Sequence, residues 1–147
     1  MSRLRMVAGN RFEGLLSAAP GALEADTTMR RLLLDQLTPR IYSLIGLVVA
    51  VSLRCERFAD DLRGPLERPF AQQAARDWRM LDLTAAEKAI LAYAEKGTLD
   101  EASVRRSDVD ELRSAGLNDR DIILIATAIA YHNYSIRMAA AFDVVPR

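Results

Sequence analysis

The sequence predicts an all-α fold, a single-domain helical bundle of about seven helices. Three observations predict it. The punctuation is helical, with Thr-Pro, Leu-Thr and Asn-Asp pairs at starts and glycines at ends. The apolar residues recur at spacings of three and four rather than two. No Asn-Gly hairpin or alternating strand pattern offers a partner for an isolated strand. The 147 residues suit one domain, residues 1–147, with enough chain to bury a core.

Pro20 opens the first predicted helix after Ala18-Ala19, because a first helical turn does not use its missing N–H. That helix runs to about Gln36, with Leu23, Met29, Leu32 and Leu33 as its apolar residues. Thr38-Pro39 supplies an N-cap and a first-turn proline for the next helix, whose charge-free run extends to Leu53. The run Gly46-Leu-Val-Val-Ala-Val-Ser52 could be a buried strand, but its length and its Thr-Pro start select helix. A second helical stretch follows Cys55 and is broken at Gly64-Pro65. Pro69 opens a short piece over Phe70–Trp78. Thr84 caps Ala85–Lys96, and Gly97 is expected to end that helix as its C′ residue. Ser107-Asp-Val-Asp110 starts the next helix, with acids over the positive end of its dipole, and Gly116 stops it. Asn118 caps the last helix, which runs towards Phe142.

Composition excludes several function classes. Twenty basic and twenty acidic residues cancel, so the chain lacks the positive field that nucleic acid or an anionic membrane surface requires. Leu112–Ile122 mimics a helix-turn-helix, but its would-be recognition helix carries no Arg, Lys or Gln to reach base edges. The charge-free stretches Ile41–Leu53 and Ile122–Ile136 are shorter than the roughly 20 residues that cross a bilayer. Arg3 and Arg5 precede a segment too short and polar for a signal-peptide core. A soluble, cytoplasmic protein is the expectation. Two helices free of charge on every face are hard to cover in one small domain, which predicts a homo-oligomer.

Cys55 is the only thiol, so no intramolecular disulfide forms. His132 is the only imidazole. One Cys and one His fall short of the three or four protein ligands zinc takes, so neither a metal nor a cofactor is expected. Asp60 and Asp61 are adjacent and point different ways on a helix, which makes a solvated turn rather than a carboxylate pair. The aromatic residues are scattered and suit core positions.

The frame around Cys55 is an uncharged helix, a Cys, a charged turn and a second helical stretch. It resembles the alkylhydroperoxidase D-like (carboxymuconolactone decarboxylase-like) family. Leu83–Lys96 is similar to that family's second-half helix, and Ser107–Ile122 to its following helix-turn. His132-Asn133-Tyr-Ser-Ile-Arg137-Met-Ala resembles its Phe-Asn-x-x-Asn-Arg-Leu-Ala ending, with Ile136 in place of Asn. The likeness covers roughly residues 10–145 and is strongest to the peroxidase-related subgroup. It implies a motif of an upstream Glu followed by Cys-x-x-Cys-x-x-x-His. In such a motif two thiols three apart close a disulfide, a helix N-terminus favours the thiolate, and Glu and His relay the proton. On this chain the first Cys is Cys55, the second falls on Phe58, the His on Leu62 and the Glu on Ser43. Phe and Leu have no titratable atom, and Ser is a poor base at neutral pH.

The resemblance therefore implies a catalytically degenerate family member, a pseudoenzyme without two-thiol peroxidase chemistry. It would serve as an oligomeric binding or structural protein, its pocket at Ser43, Phe58, Leu62 and His132 suited to a small hydrophobic ligand. Two enzymatic alternatives stay open. In the first, Cys55 between Arg54 and Arg57 acts as a one-thiol antioxidant peroxidase, its sulfenic acid restored by an outside thiol, although Glu56 opposes ionisation. In the second, His132 is the general base of a carboxymuconolactone decarboxylase-like lyase. Asn133 and Arg137, four apart on one face, read as structural rather than anion-binding.

Overall fold

Side-chain caps written in the sequence, at Thr38, Thr84 and Asn118, set three of the helix starts in the structure, a computed structural model that describes residues 11–146. Arg3 and Arg5 lie outside the described residues. Eight α-helices occur among those described: α1 (Arg11–Leu16), α2 (Pro20–Gln36), α3 (Pro39–Ser52), α4 (Ala59–Leu62), α5 (Arg68–Asp77), α6 (Ala85–Leu99), α7 (Arg106–Ser114) and α8 (Asp119–Phe142). Three short 3₁₀ turns, Glu56–Phe58, Trp78–Met80 and Glu101–Ser103, complete the path. The described residues form no strand, and the protein is an all-α helical bundle.

The α3 helix is the centre. Thr38 Oγ1 accepts from the Ile41 N–H at 3.2 Å, and Pro39 takes the first helical position. Every residue from Tyr42 to Ala50 is buried, with α5, α6 and α8 packed around it. Each buried Leu, Ile or Val there contributes about 1.5–3 kcal/mol of transfer free energy. The run that could have been a strand is thus a helix, covered on all sides within one chain as far as Ala50.

Thr84 and Glu87 form a reciprocal capping box at the start of α6. Asn118 and Asp121 do the same for α8. At α7, Asp108 accepts from the Arg105 N–H at 2.7 Å and from Lys96 Nζ at 2.9 Å, tying α7 to α6. The α8 helix packs on α2, α3, α6 and α7, and the core is one continuous cluster.

Two details differ from the sequence expectation. Gly97 does not end α6, which continues to Leu99 with Asp100 as its cap. Glycine costs about 1 kcal/mol inside a helix. The extra turn keeps Thr98 buried, where its Oγ1 accepts from Asn133 Nδ2 of α8 at 3.0 Å. The α1 helix is an addition, and its Phe12 is fully buried against the core. No helix among the described residues is long and apolar enough to cross a membrane.

Candidate functional site

The end of α3 fixes Cys55. The N–H of Cys55 donates to the Ala50 carbonyl at 2.7 Å and that of Arg54 to the Val51 carbonyl at 3.0 Å. This paired pattern is a Schellman close, with Arg54 in the left-handed region at φ 59°. Glycine usually fills that position, since a side chain there costs about 1–2 kcal/mol. Cys55 is buried, and its Sγ donates to the Leu53 carbonyl at 3.5 Å. Its own carbonyl accepts from the Phe58 N–H at 3.0 Å, which starts the 3₁₀ turn.

Phe58 and Leu62 both lie in the core cluster. Arg57 stacks over the Phe58 ring at 4.7 Å and pairs with Asp143 at 3.7 Å. Ser43 is buried in mid-α3 beneath the turn that follows α4. Gly64 there has φ +51°, and a Cβ on it would stand 2.4 Å from Ser43 Oγ. The structure thus sets Cys55, Phe58 and Leu62 on one continuous segment against α3 and covers Ser43 with the close of the same segment. Among the described residues, none of these four lines any of five surface cavities of 250–720 Å³.

His132 reaches α3 from α8 and is 1% exposed. Its Nε2 lies 3.0 Å from the Tyr42 carbonyl, which requires the Nε2–H tautomer for a neutral ring. Nδ1, left as an acceptor, has no hydrogen-bond partner among the described residues. The ring sits 4.5 Å from that of Tyr42 and 5.9 Å from that of Tyr131. Burial pushes its pKa down to about 4, with the Tyr42 hydrogen bond opposing. The imidazole is therefore neutral at pH 7 and walled in.

A buried polar pair lies beside His132, and sequence reasoning missed it. Tyr131 Oη donates to Asp26 Oδ1 at 2.9 Å, and Asp26 is 3% exposed on α2. An aspartate on a helix of mixed exposure gave no signal. The same pair borders an apolar groove of about 360 Å³ between α2 and α8. Asn133 joins α8 to α6, while Arg137 is exposed. No group of three or more His, Cys, Asp or Glu side chains among the described residues could hold a metal ion.

No family model matches the chain, and no curated protein does. Solved structures do. An uncharacterized peroxidase-related protein from Silicibacter sp. TM1040 superposes with a TM-score of 0.80 at 26% identity, over 93% of this chain and 76% of that one. An alkylhydroperoxidase AhpD core protein from Ralstonia eutropha JMP134, also peroxidase-related, gives 0.78 at 24% identity, over 90% and 74%. The debrominase Bmp8 gives 0.76 at 18% identity, over 94% and 77%. At the last two identities the likeness is one of fold alone. With its fold shared along nearly its whole length and a quarter of its residues matching a peroxidase-related protein, this chain is similar to alkylhydroperoxidase D-like proteins and has their fold.

Proposed function

We propose that the chain is a catalytically degenerate alkylhydroperoxidase D-like protein, a single cytoplasmic domain that works as an oligomeric binding or structural subunit. The observation that carries this reading is the fate of the motif positions. Phe58 and Leu62 occupy the core where a second thiol and an imidazole would be needed, and Ser43 is closed over by Gly64. A dithiol cycle requires a second sulfur within bonding reach, and this chain has one Cys. The apolar surroundings suit packing or a small hydrophobic ligand. A one-Cys chain also fits a reducing compartment.

Two features argue against the enzymatic alternatives. Arg57, which would favour a Cys55 thiolate, is engaged by the Phe58 ring and by Asp143. His132 is shut off from solvent and binds a proton only in acid, which makes it a poor base for a substrate in solution.

The test is consumption of hydrogen peroxide and an alkyl hydroperoxide with an external thiol as reductant, alongside a Cys55→Ser control. The expected result is a rate equal to the control, with no sulfenic acid trapped at Cys55. Thiol-dependent turnover that disappears in Cys55→Ser would overturn the proposal in favour of a one-thiol peroxidase.

A further inference from the structure

The outer side of α8 carries an apolar face with a charge at each end. At 3.6 residues per turn, Asp119, Ile123, Ala130, Tyr134 and Arg137 fall within an arc of about 60°, with Thr127 at its edge. No Asp, Glu, Lys or Arg lies between Asp121 and Arg137, and the one imidazole there, His132, is buried on the opposite side. Ile123 is 65% exposed and Tyr134 38%, and Ala130 between them is open to solvent. Across the groove, Met29 and Leu32 of α2 are exposed as well. Arg137 has no ion pair among the described residues, and Asp119 is an exposed acid whose Oδ1 meets Arg113.

We infer that this face is a docking site for a second copy of the chain, with the two α8 helices packed antiparallel about a two-fold axis between Thr127 and Ala130. The inference rests on the oligomeric reading above and names its surface. Charge complementarity selects both the occupant and the direction. In the antiparallel arrangement Arg137 of each copy comes beside Asp119 of the other, about one residue rise (~1.5 Å) out of level. A parallel arrangement would set like charges together. Ile123 then faces Tyr134 of the second copy, and Thr127 faces its Ala130. A two-fold contact of this kind is self-complementary, because each residue pair occurs twice. The small Thr127 and Ala130 at the centre let the helix axes approach to about 8 Å, the short end of the usual range.

Two measurements test it. The first is the mass by light scattering of the parent protein and of Ala130→Arg, whose site is exposed and whose melting temperature is expected to be unchanged. The parent is expected to be a multiple of 16.3 kDa and the variant to lose that contact. The second is oxidative cross-linking in a Cys55→Ser background. Ile123→Cys and Tyr134→Cys chains are expected to join when mixed and re-equilibrated, and not when each is alone. A parent that stays at 16.3 kDa overturns the oligomeric reading together with this interface. A multimeric parent with an equally multimeric Ala130→Arg overturns this interface alone. Cross-linking of Ile123→Cys to itself overturns the antiparallel direction.

Discussion

The imidazole of His132 fills the space in which a side chain at Gly46 would stand: a Cβ there would lie 2.8 Å from its Cε1. The two helices meet there with only the imidazole between their backbones, and the ring is held from its other sides by Tyr42 and Tyr131. Gly46→Ala is therefore expected to destabilise the protein although alanine is the better helix former. Overpacking costs about 1–3 kcal/mol, and the helix gain returns about 1 kcal/mol at most. Urea denaturation should show a net loss of about 1–2 kcal/mol. In His132→Ala the same Gly46→Ala change should become neutral or favourable, since the added methyl then enters vacated space.

Acid should weaken the fold in a window set by His132. Its pKa in the folded protein is about 4 against 6.5 for an unperturbed imidazole, so between those values only the unfolded chain takes up the proton. Stability is whole above pH 6.5, declines as pH falls to about 4, and loses nothing further from this group below that. The decline amounts to about 3 kcal/mol at roughly 1.4 kcal/mol per unit. His132→Gln should flatten the slope between pH 6.5 and 5 in thermal melts. Glu87 and Glu95 act lower down. Arg40 and Arg79 respectively hold their carboxyls below the ordinary value, so their contribution is present above about 4.5 and is lost as pH falls through the lowered values.

Glu87 serves two partners at once. Its Oε1 accepts from the Thr84 N–H at 3.0 Å, completing the α6 cap, and its Oε2 accepts from Arg40 Nε at 2.6 Å. Glu87→Ala removes both and should cost about 1–2 kcal/mol. Thr84→Ala should cost about 1 kcal/mol. Arg40→Ala should cost less than about 1 kcal/mol, because the Arg40 side chain is 44% exposed and its pair is screened by water. Chemical denaturation midpoints for the three variants should fall in that order.

Ser43 and Gly64 predict what happens if the motif is rebuilt. Ser43→Glu would restore the acid that the family resemblance implies, but Gly64 leaves no room for it. The variant is expected to lose at least about 1–3 kcal/mol from overpacking, and more from burying a carboxylate. Gly64→Ala should also destabilise, through its positive φ and its approach to Ser43. Adding Ser43→Ala should recover the second loss and not the first. Melting temperatures of the single and double variants check this.

Much of the fold was legible in the sequence because its helix starts are capped by side chains. Thr38, Thr84 and Asn118 each accept from the residue three along, as their positions before Pro39, Ala85 and Asp119 indicate. The ends were harder to read. Only one of three Schellman closes carries its glycine, Gly116, whereas Arg54 and Asp143 adopt the left-handed conformation without one. The six-residue α1 has no proline at its start, and Gly14 in its middle argues against a helix; Gly97 misleads because Thr98 is held by Asn133. At the site, the segment from Cys55 to Leu62 could be placed from its spacing. The contact of His132 with Gly46 joins positions far apart in sequence through a missing side chain, which no local pattern records.

Residues 42–50 have no solvent side, so replacements among them must suit three neighbouring helices at once. A library randomised over that stretch should return few folded clones. One randomised at Ile123, Thr127 and Ala130 should return many folded clones that differ in how they assemble. In this chain, inheritance of the architecture is written into the wrapped helix, while room to diverge lies on the outermost one.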